Sequence, residues 1–304
     1  YIVFGTVMLN LLLDPLFIMG WGPIPAYGVR GAAMATVGTQ AVATIIGMGF
    51  LLSGRQGIHL KMADLKPNST LVKKMFFLGM PASISQSARA LGMMMMTFLV
   101  ASFGTITVAS YGIGGRMLSF IIIPAVGLSM ATSTLVGQNI GAGKLERADK
   151  ITRISSLISF GLLTAVGIVV FIFARPLTAA FIPNAPEVIE SGSLFVKIMA
   201  LTFGLVGLQQ TINGTFQGSG NTKISMILSL TSLFIIQFPL AYILSKHTSL
   251  GAEGVYWAFP ITNIIIAAIT VIWFGSGSWK QKQIIEDPMI PSVIKETVIE
   301  EGIQ

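Results

Sequence analysis

The sequence contains no cysteine, two histidines and only 10% charged residues among 304. Without cysteine, disulfide bonds and thiolate metal sites are excluded. The two histidines lie apart in predicted loops, so neither a metal site nor nucleophilic catalysis is indicated. Soluble domains carry about 25% charged residues. The low charge, with 53% hydrophobic residues and a mean hydropathy of +0.79, therefore favours an integral membrane protein.

The net charge of +7 would suit a protein that binds nucleic acid. However, the basic residues lie in short segments between apolar runs, which is the pattern found at the faces of a membrane. We therefore expect the lipid bilayer as the partner of this chain, and no nucleic acid.

Apolar runs divide the chain into predicted membrane spans. Residues 1–19 are expected to be the end of a helix that begins before Tyr1, in a longer polypeptide. Further runs approach the ~20 residues that cross a bilayer, and we place them at 31–53, 74–101, 106–137, 152–174, 191–216, 223–246 and 251–276. The predicted fold is an all-α, polytopic helical bundle. Residues 277–304 have mixed charges and are expected to be mobile and solvated.

Lysine and arginine predict the orientation. If the spans alternate, thirteen basic residues fall on one side, in 54–74, in 138–153, at Lys223 and in the tail. The other side receives four, which are Arg30, Arg175, Lys197 and Lys246. Because loops rich in Lys and Arg stay inside, the C-terminus is predicted to be cytoplasmic, in a plasma-membrane protein.

The chain contains an internal repeat. Residues 14–19 align with 238–243, and Gly28-x-x-Gly31 aligns with Gly251-x-x-Gly254. A helix, an outer loop and a helix thus recur in the same direction, as in transporters built from two similar halves. We predict the last two helices of a first lobe, a cytoplasmic loop, a six-helix second lobe and a cytoplasmic tail, at 1–53, 54–74, 75–276 and 277–304.

Asp14 is the only carboxylate inside an apolar helical run. A charge in a membrane costs roughly 2.5–3.5 kcal/mol on insertion scales, so Asp14 is a candidate functional residue. Asn10 lies one turn earlier on the same face, and Pro15 leaves the Leu11 carbonyl without its helical donor. Thr36 is predicted at a similar depth on the next helix. These oxygens suit a hard cation or a proton; alternatively, Asp14 simply bonds Asn10 near a helix end.

Polar residues in the later spans leave two interpretations open. They could bind a substrate in a central cavity, or they could join helices to one another; they are Gln86, Gln209, Gln210, Asn213 and Gln237. Arg89 and Arg116 could line a substrate path, or could bond helix carbonyls and snorkel. We favour the structural role, since a fixed positive charge repels a cationic drug. The glycines before Arg116 predict an interior position for it.

Five motifs in order resemble the multidrug and toxic compound extrusion (MATE) transporters, and the resemblance covers residues 1–276. The motifs are Asn10-x-x-x-Asp14-Pro15, Gly28-x-x-Gly31-Ala-Ala-x-Ala-Thr36, Gly79-Met-Pro81, Gly137-Gln-Asn-Ile-Gly-Ala-Gly143 and Gly218-Ser-Gly-Asn-Thr222.

The resemblance implies twelve helices in two lobes that export small drug-like cations in exchange for Na⁺ or H⁺ by alternating access. It implies a monomer without a cofactor and without enzymatic activity. In the DinF-like and archaeal branch, the Asn, Asp and Thr of these motifs line a cation site in the N-lobe, which carries over to Asn10, Asp14 and Thr36. The other N-lobe acid of the family lies on a first helix that this sequence does not contain. Some branches use C-lobe carboxylates, and their absence from the interior of the later spans disfavours those branches.

Three other functions fit the sequence less well. A lipid-linked oligosaccharide flippase of the same superfamily is expected to show a cluster of cationic cavity residues, whereas Arg89 and Arg116 are scattered. A membrane-embedded prenyl transferase needs acidic pairs that hold Mg²⁺, and the spans contain no such pair. A channel usually needs the symmetry of an oligomer around its selectivity ring.

Overall fold

A computed structural model describes residues 2–20, 25–53 and 67–280. The chain divides into two compact units, residues 1–73 and 74–304. Most of the predicted basic loop 54–74, and the predicted tail beyond residue 280, lie outside the described residues. The assignment of the two units to the lobes of a longer transporter remains a prediction.

The first unit is a helical hairpin formed by α1 (Ile2–Met19) and α2 (Val29–Ser53). Its turn is closed by two backbone hydrogen bonds, in which the amides of Tyr27 and Gly28 donate to the carbonyls of Phe17 and Ile18 at 3.0 and 3.2 Å. The buried residues of α2 are Gly31, Ala35 and Thr39. Since they recur every four residues, they form one stripe along the helix.

Gly31 allows the two helices to touch at the turn, because a Cβ atom there would overlap the carbonyl of Phe17. We expect Gly31→Ala to lower the free energy of unfolding by about 1–3 kcal/mol, measured as a lower melting temperature of the purified protein in detergent. Gly38→Ala is the matched control in α2, because a Cβ atom at Gly38 has open space around it. Equal melting temperatures for the two variants would contradict close packing at Gly31.

The second unit is also helical, and the expected all-α fold is confirmed. Its helices are α3 (Ser69–Ala101), α4 (Thr105–Gly141), α5 (Leu145–Ile172), α6 (Ala174–Phe181), α7 (Pro186–Ala200), α8 (Phe203–Gly218), α9 (Thr222–Leu230), α10 (Phe238–Lys246) and α11 (Ala252–Gly275), with a π-helical segment at Thr231–Gln237 and a 3-10 turn at Ser278–Lys280. The central core lies between α3, α4, α5, α7, α8, α10 and α11.

Six helical stretches of the described residues are long and apolar enough to cross a membrane. They are Ile2–Met19, Val29–Ser53, Thr105–Gly141, Leu145–Ile172, Thr222–Lys246 and Ala252–Gly275. The pair α7 and α8 makes a seventh if it counts as one span. The 33-residue α3 is also long enough to cross a membrane, but it is less apolar than these six stretches, because Gln86 and Arg89 lower its hydropathy. The prediction of a multi-pass membrane protein is confirmed.

The predicted span at 191–216 is interrupted in the structure. The structure has two helices there, Pro186–Ala200 and Phe203–Gly218, bent by 52°. Side chains stabilise the break, since the Thr202 hydroxyl donates to the Met199 carbonyl at 3.2 Å and accepts a bond from the Asn263 amide at 3.0 Å. These bonds replace helical ones, so the chain can bend in an apolar environment.

The predicted solvated tail is wrong for its first residues. Trp279 is fully buried and stacks on Phe274 with ring centroids 5.5 Å apart. The Asn221 amide donates to the Trp279 carbonyl at 3.2 Å, and the Lys280 ammonium lies 2.9 Å from the Asp149 carboxylate. Burial of the indole and this ion pair fix the 3-10 turn to the ends of α5 and α9.

Candidate functional site

The candidate cation site begins with Asn10 and Asp14 on α1. Both side chains are half-buried, and the Asn10 amide donates to the Asp14 carboxylate at 3.4 Å. The helix runs without a break through Pro15. Because proline has no N–H, the Leu11 carbonyl lacks its usual helical donor. The amide and the carboxylate therefore bond each other, as the alternative interpretation of Asp14 expected, and they lie beside a backbone oxygen that can serve as a ligand.

Thr36 is at the predicted depth, but its hydroxyl is engaged elsewhere. Since Gly31 packs on Phe17 and the helices are antiparallel, Thr36 is level with Leu12, about 3 Å along the axis from Asp14. The Thr36 hydroxyl is exposed and donates to the Ala32 carbonyl at 2.9 Å. Within the described residues, it makes no hydrogen bond to Asn10 or Asp14. Its role as a ligand remains a prediction.

Thr39 is a polar residue of the hairpin that was not predicted from the sequence to belong to the site. It is buried on the stripe of α2 that faces α1, at about the level of Asn10. Its hydroxyl donates to the carbonyls of Ala35 and Thr36, at 3.0 and 2.9 Å, so its oxygen can still accept or coordinate. The four-residue spacing from Gly31 and Ala35 is the signal that could have identified it.

This arrangement can bind a cation only with mixed oxygen ligands. Among the described residues, no group of three or more His, Asp or Glu side chains could hold a metal ion. A cation bound here would take its negative charge from Asp14 and its other ligands from amide, carbonyl and hydroxyl oxygens. Such a set suits Na⁺, while Asp14 alone can carry a proton.

The polar residues of the second unit differ in role. The Gln209 amide donates to the Asn263 carbonyl at 2.7 Å, which joins α8 to α11. Gln210 accepts a hydrogen bond from the Arg89 guanidinium at 3.4 Å. The Oδ1 atom of Asn213 is buried and has no hydrogen-bond partner among the described residues. Gln86 is exposed and Gln237 is buried.

The predicted interior position of Arg116 is wrong, because its side chain is exposed. Of the glycines shortly before Arg116, Gly114 is the one that permits close packing, because a Cβ atom there would overlap the ring of Phe195. Gly112 and Gly115 have open space at their Cβ positions. Arg116 lies two residues after Gly114, about 200° around the helix, and so points away from this contact.

Comparison with known proteins identifies the family. The family description MatE matches residues 81–243. The "Probable multidrug resistance protein NorM" of Thermotoga maritima is 31% identical over 281 residues, covering 92% of this chain and 60% of that protein. The chain belongs to the MatE family. The "FAD transporter" of Shewanella oneidensis is 27% identical over 261 residues, covering 86% of the chain and 57% of that protein.

Solved MATE structures have the same fold. The Vibrio cholerae MATE transporter VcmN is 25% identical with a TM-score of 0.83, over 92% of this chain and 63% of that one. The chain therefore spans about three fifths of the length of its relatives. Two of these relatives are named as transporters and one as a probable multidrug resistance protein. The DinF-like or archaeal branch remains a prediction.

Proposed function

We propose that this protein is a secondary transporter that exports organic, drug-like compounds in exchange for Na⁺ or H⁺. The observation that carries the proposal is the Asn10–Asp14 pair, half-buried on a proline-containing helix of an apolar hairpin. An acid inside an apolar helix is costly unless it is used, and a cation or a proton bound to it would be coupled to transport by alternating access. Relatives named as multidrug resistance proteins support the export of drugs, and the family resemblance implies cationic ones.

The proposed location is the plasma membrane, as a monomer with a cytoplasmic C-terminus. Contacts at one end of the second unit support this orientation. The bonds from Asp149 to Lys280 and from Asn221 to Trp279 bring the start of α5, the connection before α9 and the end of α11 together. Basic residues are concentrated at this end, namely Lys144, Arg147, Lys150, Arg153, Lys223 and Lys280, as on the cytoplasmic side of a membrane.

The test is efflux of ethidium, an organic cation, by the full-length protein in proteoliposomes. An inward Na⁺ gradient and an inward H⁺ gradient are imposed separately, with the membrane potential clamped by K⁺ and valinomycin. We expect one gradient to drive efflux above the rate of protein-free vesicles. If neither gradient drives efflux of ethidium or of an anionic dye tested in parallel, the antiport proposal is overturned.

The substrate class need not be cationic. One relative is named as an FAD transporter, and FAD is a negatively charged dinucleotide. Export of organic anions is therefore a second candidate, favoured by a half-buried arginine in the second unit. The lipid-linked oligosaccharide flippase gains less support, since Arg89 is half-buried on α3 while Arg116 is exposed on α4.

A further inference from the structure

Arg89 is a half-buried cation near the middle of α3. It lies twenty residues after Ser69 and twelve before Ala101, the ends of the helix. Twelve residues correspond to about 18 Å of helix, farther than an arginine side chain can snorkel. An arginine at this depth is costly, and such residues commonly mark the path of a substrate or an ion.

In the described part of its unit, Arg89 forms no ion pair with a carboxylate. The carboxylates described there all lie within the first five residues of α5, α7 or α11, and they are Glu146, Asp149, Glu187, Glu190 and Glu253. The one described hydrogen bond of Arg89 runs to a neutral amide, the Oε1 atom of Gln210, at 3.4 Å. Among the described residues it bonds no helix carbonyl, which is one of the structural roles expected from the sequence, and its bond to Gln210 joins α3 to α8.

Two neighbouring groups have unused hydrogen-bonding capacity. A guanidinium has five N–H donors, and Arg89 uses one of them in the described bond. Asn213 lies three residues after Gln210 on the same face of α8, and its buried Oδ1 atom lacks a donor among the described residues. A buried acceptor without a donor is unfavourable. Gln86, one turn before Arg89, is exposed and leaves this side of α3 open to a ligand.

We propose that Arg89, Gln210 and Asn213 form a binding site for the carboxylate or phosphate group of an organic anion. Arg89 pairs with the anionic oxygens, which its planar fork can bind through two parallel N–H bonds. The Oδ1 atom of Asn213 is buried here, so it accepts an N–H or O–H of the same substrate after its side chain turns toward Arg89. This proposal specifies organic anions as the substrate class. It rests on the proposed function only because it takes the bound anion to be a transport substrate.

The test is equilibrium binding of carboxyfluorescein to the purified full-length protein, followed by fluorescence anisotropy without any ion gradient. We expect saturable binding, and Arg89→Gln should raise the Kd at least about tenfold, because a charge-assisted pair is lost. Arg116→Gln removes the same charge from an exposed position in the same unit and should change the Kd less than about twofold. Absence of saturable binding, or equal effects of the two variants, would overturn the site.

Gln210→Glu separates a binding role from a structural one. It places a carboxylate where the amide now meets the guanidinium at 3.4 Å, so it should occupy Arg89, weaken carboxyfluorescein binding and leave the melting temperature unchanged or higher. If Arg89 only holds helices together, Gln210→Glu keeps the contact and binding stays at the wild-type level.

The anionic group could belong to a soluble compound or to a lipid. Fluorescent phosphatidylglycerol, in nanodiscs of phosphatidylcholine, is therefore the second probe. Loss of carboxyfluorescein binding alone in Arg89→Gln identifies a soluble substrate, and loss of both identifies a site that also takes lipid phosphate. This binding is measured without any ion gradient, whereas cation coupling is measured by gradient-driven efflux, so failure of cation coupling and failure of this site give different results.

Discussion

Asp14→Asn is expected to abolish ion-driven export while the protein remains folded. Asparagine keeps the shape of the side chain and can still bond Asn10, which now donates to the carboxylate at 3.4 Å. It cannot carry a proton, and it removes the one negative charge available to a cation in the described hairpin. We expect export to fall to the rate of protein-free vesicles, a larger loss than the roughly 10- to 100-fold that follows removal of an outer-shell partner of a metal ligand.

The measurement is the initial rate of ethidium efflux under whichever gradient drives the wild-type protein. Glu187→Gln is the matched control, since it removes an exposed carboxylate from the first turn of α7 and should leave the rate unchanged. Melting temperature and elution volume verify that both variants fold. Wild-type efflux by the Asp14 variant would place the coupling group elsewhere.

Trp279→Ala is expected to have the largest effect on stability. Trp279 is fully buried, and its indole stacks on Phe274. Its backbone carbonyl accepts a hydrogen bond from the Asn221 amide. Removal of a buried tryptophan costs about 3–5 kcal/mol. It also frees Lys280 from Asp149. We expect the melting temperature in detergent to fall on the order of 10 °C.

Trp257→Ala is the comparison for this variant, because the side chain of Trp257 is 38% exposed on α11, the helix that leads to Trp279. Its melting temperature should fall by a small fraction of that amount. A melting temperature for Trp279→Ala within about 2 °C of the wild type would show that the 3-10 turn is not anchored. The solvated tail expected from the sequence would then be correct.

Much of the architecture was predictable because hydropathy and helix length are properties of a single segment. A helix in lipid must satisfy its own backbone hydrogen bonds, so apolar runs such as 31–53 and 251–276 became α2 and α11 almost unchanged. The pairing of Asn10 with Asp14 was predictable for the same reason, since one turn of one helix places both side chains together.

Features that depend on contacts between segments were not predictable. The bend between α7 and α8 depends on Asn263, which lies 61 residues after Thr202. The burial of Trp279 depends on Phe274 and on the distant Asn221. The exposure of Arg116 follows from which neighbouring glycine meets Phe195. No local pattern contains these partners.

The sequence by itself determined a multi-pass helical membrane protein with one acid inside an apolar helix, because these are consequences of composition and helical periodicity. Only the tertiary structure decided which polar groups are already satisfied. It engages Gln209 with Asn263 and Thr36 with its own helix. It leaves Arg89 beside a neutral amide and, among the residues that the structure describes, Asn213 with an unpaired oxygen. Hydrogen bonding depends on which atoms meet across helices, and that is established only when the chain is packed.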